Sequence, residues 1–161
     1  MRYLLIIIIL LTSCTGYMYN YDRDEYRVKE DLKKCNNCDA LDLSGSDDMV
    51  PDNVYNFKQL EYLNLANKNL DMLNSRVCEL SNLKYLFLDS NDGIQLPECL
   101  YDMNNLKILS LSSCNMKELP QGLNKLTNLK ILTILGNRFD EKRLEELRES
   151  LPNTKIIAYL D

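Results

Sequence analysis

The sequence predicts an α/β repeat solenoid, with short strands on one side and turns with short helical or 3₁₀ segments on the other. Three observations lead there. First, Leu60-Glu-Tyr-Leu63-Asn-Leu65 returns as Leu83-Lys-Tyr-Leu86-Phe-Leu88, Leu106-Lys-Ile-Leu109-Ser-Leu111 and Leu129-Lys-Ile-Leu132-Thr-Ile134. The phrase begins at residues 60, 83, 106 and 129, a constant step of 23, and a fixed period of this size marks a repeat architecture. Second, Leu-x-Leu places two side chains on one face of a strand. Third, the later apolar positions keep the same step: Leu73, Leu96 and Leu119; Val77, Leu100 and Leu123; Leu80, Met103 and Leu126. Their gaps of three to five residues within a unit suit turns and short helical or 3₁₀ segments rather than a second strand.

A fifth, degenerate unit precedes these, carrying Leu41, Leu43, Val50-Pro51, Val54 and Phe57, and is one residue short. One unit cannot bury its own apolar side, so about three are needed before stacking makes a continuous core. Five units meet that requirement over residues 38–139.

These residues resemble the leucine-rich-repeat family, whose pattern is L-x-x-L-x-L-x-x-N-x-L followed by x-x-L-P. Leu96-Pro97 and Leu119-Pro120 fall on the Leu-Pro step. Asn91 and Asn137 match the family's asparagine, which hydrogen-bonds turn backbone between repeats. Cys114 is an accepted variant there, whereas Lys68 and Ser46 depart from it and place the ladder in question in the first two units. The resemblance covers about residues 38–160 and implies a curved solenoid, its parallel sheet on the concave side. It also implies that binding uses the outward-facing strand residues, which form three rows. One runs Ala40, Tyr62, Tyr85, Ile108, Ile131; the next Asp42, Asn64, Phe87, Ser110, Thr133; the third Ser44, Ala66, Asp89, Ser112, Leu135. The candidate partner-binding residues are Tyr62, Asn64, Tyr85, Phe87, Asp89, Ile108, Ser110, Ile131 and Thr133. Tyr62, Tyr85, Phe87, Ile108 and Ile131 are expected to form an exposed apolar patch, the kind of surface that marks a partner site. They are also ordinary strand formers.

The N-terminus has a different composition. Met1-Arg2 is a minimal positive region, Tyr3 to Leu11 is apolar, and Thr12-Ser13-Cys14 follows. That order reads as a secretory signal over 1–13, and the run is too short to span a bilayer, which takes about 20 apolar residues. Leu11-Thr12-Ser13-Cys14 resembles the lipobox of bacterial lipoproteins. The resemblance implies cleavage before Cys14, lipid on its thiol, and a membrane anchor; the other reading is an ordinary signal with an incidental cysteine. Thr15 following Cys14 favours an outer membrane or cell surface over an inner membrane. Residues 14–24 read as a tether, with Tyr17, Tyr19 and Tyr21 as the basis of an alternative adhesive segment, and 25–37 as an N-terminal cap.

Residues 140–161 read as a C-terminal cap. Asp140 is a good N-cap with Glu141 in the first turn. Leu144, Leu147 and Leu151 follow at helical spacing, and Pro152 stops the helix. Lys155 to Leu160 reads as a last strand. A membrane-surface helix is opposed by Glu145, Glu146 and Glu149, which anionic headgroups repel.

The formal charge is −5, and no basic stripe with interleaved aromatics appears, which argues against a nucleic-acid partner. Histidine is absent, removing the commonest general base and metal ligand. No cofactor is expected. Beyond Cys14 there are five cysteines, an odd number, so at least one is unpaired within a chain. Cys35-Asn-Asn-Cys38 has redox-like spacing, but zinc would need four ligands and a thiol oxidoreductase a thioredoxin-like setting; packing or a local disulfide is the plainer reading. The expected function is non-enzymatic protein binding on a bacterial membrane or cell surface. A structural envelope protein or adhesin is the alternative, and a thiol oxidoreductase using Cys35 and Cys38 the last.

Overall fold

The structure is a computed structural model and describes residues 39–45 and 50–158. Six strands form one sheet: β1 (Ala40–Asp42), β2 (Tyr62–Asn64), β3 (Tyr85–Phe87), β4 (Ile108–Ser110), β5 (Ile131–Thr133) and β6 (Lys155–Ile157). They lie in chain order and every pair is parallel. Between them run 3₁₀ segments at Asp52–Asn56, Ser75–Glu79, Glu98–Asp102 and Leu123–Lys125. These are the short helical pieces that the gaps of three to five demand.

The leucines explain the stacking. Leu63, Leu86 and Leu132 at the strand centres are fully buried, as are Leu65, Leu88 and Leu111 just beyond them. Val77, Leu80 and Leu100 from the 3₁₀ side close the same core. Each register step pairs leucine with leucine: Leu41, Leu63, Leu86, Leu109 and Leu132, ending on Ile156. Truncating one such leucine to alanine costs about 2–5 kcal/mol.

The entry to the first three 3₁₀ segments recurs every 23 residues. Pro51 and Pro97 stand at N-cap positions in extended backbone, where a missing N–H costs nothing. Asn74 occupies the same place in the second unit and accepts from Arg76 N at 3.0 Å.

Asn91 is fully buried and holds two units together. Its Nδ2 donates to Leu65 O and Leu88 O at 2.9 and 2.8 Å, and its Oδ1 accepts from Lys68 N and Leu70 N, both at 3.0 Å. These bonds join the second and third units and reach the backbone of Lys68 itself; Ser46 lies outside the described residues. Asn137 repeats the pattern, donating to Leu111 O and Ile134 O and accepting from Met116 N. Cys114 keeps only the donor half, its thiol reaching Leu88 O at 3.4 Å. Without a side-chain acceptor, Gly93 N turns to the Cys114 carbonyl at 2.7 Å. The turn changes with it. This turn and its two neighbours each have two left-handed residues; the second is Asn69 or Asn115 in the neighbouring units, but here it is Gly93, one place later, at φ +65°.

A second asparagine column runs along the exposed loops. Asn82, Asn105 and Asn128 donate to Lys58 O, Ser81 O and Asn104 O of the preceding unit.

On the 3₁₀ side, residues 21 apart meet between units, and each meeting uses different chemistry. Arg76 lies over the Tyr55 ring at 5.6 Å. Cys99 forms a disulfide with Cys78. Gly122 lies against Tyr101, whose Cδ2 would stand 2.0 Å from a Cβ placed there. Cys114 is free and buried, and burial pushes its thiol pKa up. Cys14, Cys35 and Cys38 lie outside the described residues, as do the expected N-terminal cap and tether.

The C-terminal cap forms as its residues dictate. Asp140 caps α1 (Glu141–Ser150), accepting from Arg143 N at 3.2 Å. Leu144, Leu147 and Leu151 bury against the last unit. The final strand is Lys155–Ile157, and residues 159–161 lie outside the described chain.

Two stability outcomes follow. Asn91→Ala orphans buried backbone groups on two units and should cost about 3 kcal/mol or more by urea denaturation, against about 1 kcal/mol for Cys114→Ala. Gly122→Ala should cost about 1–3 kcal/mol by overpacking, and a second substitution, Tyr101→Ala, should make the added methyl harmless.

Candidate interaction face

The register settles which side chains share the exposed face of the sheet. Ala40, Tyr62, Tyr85, Ile108, Ile131 and Lys155 align in one row, and Asp42, Asn64, Phe87, Ser110, Thr133 and Ile157 in the next. Eight of the nine candidate residues therefore lie on one side of the sheet, and the ninth, Asp89, follows Phe87 by two residues. The structure adds Ile157 and Lys155 at the far end. The last strand was expected from the sequence, but its place in the rows was not, because it follows a helix and falls outside the 23-residue step.

The expected exposed patch needs correction. Ile108 is 8 % exposed, Ser110 5 % and Ala40 2 %. Strands lie about 4.8 Å apart, so a residue set between in-register neighbours at least as large as itself is shaded by them. Ile108 sits between Tyr85 and Ile131, and Ser110 between Phe87 and Thr133. What the face presents is half-buried: Tyr62, Tyr85, Phe87 and Ile131. Tyr62 and Phe87 meet diagonally across β2 and β3, with ring centroids 5.3 Å apart and planes tilted by 41°.

Polar side chains beside the rings are held from below. Asp42 Oδ1 accepts from Ser44 N and Ser44 Oγ at 2.9 and 2.6 Å, and Asn64 Oδ1 accepts from Ala66 N at 3.0 Å. These are Asx turns at strand ends. Phe87 cannot make that bond. In its unit Asp89 takes a different part, accepting from Ser112 N at 2.7 Å and from the Ser110 hydroxyl. Thr133 Oγ1 donates to Ser110 Oγ at 2.7 Å, completing a polar chain across β3 to β5.

Burial pushes the Tyr62 phenol up to about 12; the Asp42 and Asp89 carboxylates push the same way, and a hydrogen bond with Asn64 opposes them. The ordered polar groups are therefore preorganised around a neutral phenol. Among the described residues no group of three or more His, Cys, Asp or Glu side chains is placed to hold a metal ion, and no helix is long and apolar enough to cross a membrane. A separate cleft of about 600 Å³ lies between the last repeat and α1, lined by Lys117, Glu118, Pro120, Asp140, Arg143 and Glu146 among others. Arg143 is already paired with Glu146 there at 2.8 Å.

Comparison with known proteins agrees with this geometry. A family model described as a leucine-rich repeat region matches residues 24–161. A leucine-rich-repeat protein of Leptospira interrogans superposes with a TM-score of 0.60 at 26 % identity, over 73 % of this chain and 28 % of that one. Internalin C2 of Listeria monocytogenes superposes with a TM-score of 0.57 at 23 % identity, over 75 % and 53 %. The leucine-rich repeat domain of APL1B gives 0.59 at 18 % identity, over 86 % and 44 %. This chain thus spans about half or less of the length of these structures. Among curated proteins no sequence match is found.

The raised Tyr62 pKa has a sign. The unfolded phenol ionises near pH 10 and the folded one near pH 12, so Tyr62 contributes stability below pH 10 that is lost as pH rises to 12. Urea midpoints of the wild type should fall across that window, and Tyr62→Phe should flatten part of the fall.

Proposed function

We propose that this chain, which belongs to the leucine-rich-repeat family, binds a protein partner on the exposed face of its sheet. Leucine-rich-repeat domains commonly mediate protein binding. One observation carries the reading here: Tyr62, Tyr85, Phe87 and Ile131 share one register-fixed surface, on β2, β3 and β5. Aromatic side chains on a rigid support lose little entropy on contact and serve as interface anchors. The side chains between them are tied down by hydrogen bonds, which lowers the ordering cost of association.

The proposed setting is a bacterial membrane or cell surface, with the chain anchored by lipid on Cys14. The signal-like residues 1–13 support it. The Cys78–Cys99 disulfide supports it independently, because such bonds persist in oxidising compartments and are rare in the cytosol.

A photo-crosslinker at position 131 on intact cells should capture a discrete protein. Tyr62→Ala/Tyr85→Ala/Phe87→Ala should reduce capture at least tenfold while the chain stays folded by circular dichroism. Undiminished capture by the folded triple variant would remove the face from the function. Membrane fractionation and intact mass of wild type beside Cys14→Ala test the anchor; an unmodified, soluble wild type would end that reading.

A further inference from the structure

We propose that the partner presents a basic side chain, arginine or lysine, over the Tyr62–Phe87 ring pair, between the carboxylates of Asp42 and Asp89. The inference rests on the protein-binding reading above and names the chemistry that the face selects.

Four observations carry it. The first is placement. Asp42 stands on β1 in the same row as Asn64 and Phe87, with Tyr62 in the adjoining row. Asp89 follows Phe87 by two residues and anchors the polar chain through Ser110. Asp42 thus lies one strand away from Tyr62 and Asp89 two residues along from Phe87, and both carboxylates act electrostatically on the Tyr62 phenol.

The second is the absence of a counter-charge. None of the ion pairs among the described residues includes Asp42 or Asp89. Lys84, which precedes β3, is already bound to Glu61 at 2.6 Å. Each aspartate is held through Oδ1 alone, by Ser44 in one case and by Ser110 and Ser112 in the other. Neither Oδ2 hydrogen-bonds a described residue, which leaves it available to accept.

The third is the rings. Two aromatic faces 5.3 Å apart present π-electron density to whatever covers them, and a cation is attracted to that density. The chain uses the same chemistry on its other side, where Arg76 covers Tyr55.

The fourth is exclusion. An apolar anchor seated here would strip water from two carboxylates with nothing to replace it. An acidic anchor would be repelled. At the other end of the sheet the row closes on Lys155, so the negative character is confined to the β1–β3 end.

The test uses the full-length chain, isotopically labelled, and three blocked peptides acetyl-Gly-Gly-X-Gly-Gly-amide with X as Arg, Leu or Glu. The Arg peptide should shift the aromatic resonances of Tyr62 and Phe87, assigned by their loss in Tyr62→Leu and Phe87→Leu. Asp42→Asn/Asp89→Asn should weaken that binding at least tenfold. Asparagine keeps the Oδ1 acceptor, as Asn64 demonstrates at the Asp42 position, so this variant tests charge with the turns intact. Equal binding of the Leu peptide, or unchanged Arg binding by the asparagine variant, would overturn the basic anchor while leaving the face as a protein-binding surface. No shift at Tyr62 or Phe87 with any peptide would also overturn it, and the crosslinking result would then stand or fall separately.

Discussion

No unit of this chain can bury its own leucines, and that constraint organises everything else. Leu63, Leu86 and Leu132 reach full burial only because a neighbour stands on either side. Stacking at a constant step brings strand onto strand in one register, and the register then positions every exposed side chain. The surface described above is thus a by-product of core packing: its rows exist because the leucines beneath them are aligned.

Contacts between units are specific in ways the leucines alone do not require. Asn91 satisfies backbone groups on both sides of an inter-unit turn. Where Cys114 replaces that asparagine, the acceptor disappears and the backbone compensates, with Gly93 taking the left-handed conformation one residue later than in neighbouring units. On the 3₁₀ side the same geometrical problem, residue 21 places on meeting its partner, is solved by a cation on a ring, by a disulfide and by a glycine under a ring. A repeat of backbone geometry tolerates such variety because each interface involves only nearest neighbours.

The exposed face divides along similar lines. Its membership was legible from the alternation of Leu-x-Leu, since residues flanking two inward leucines must point outward. Its exposure was not. Ile108 and Ser110 are shaded by bulky in-register neighbours on adjacent strands, a property of the lateral pairing that no single unit reveals. The division of labour between Asp42 and Asp89 was equally hidden, because Asp89 acts on the next unit's Ser110 and Ser112.

The sequence by itself determined the period, the inward leucines, the capped helix after Asp140 and the identity of the outward rows. All of these follow from spacing along one chain, where short-range geometry repeats. Only the tertiary structure decided that Cys78 joins Cys99, that Tyr101 leaves room for nothing larger than Gly122, that Asn91 bridges a unit lacking its own asparagine, and that Tyr62 and Phe87 meet across β2 and β3. Each of these is a contact between different units at close range. Its outcome depends on the size and charge of two residues together, which periodicity, blind to side-chain volume across the stack, does not encode.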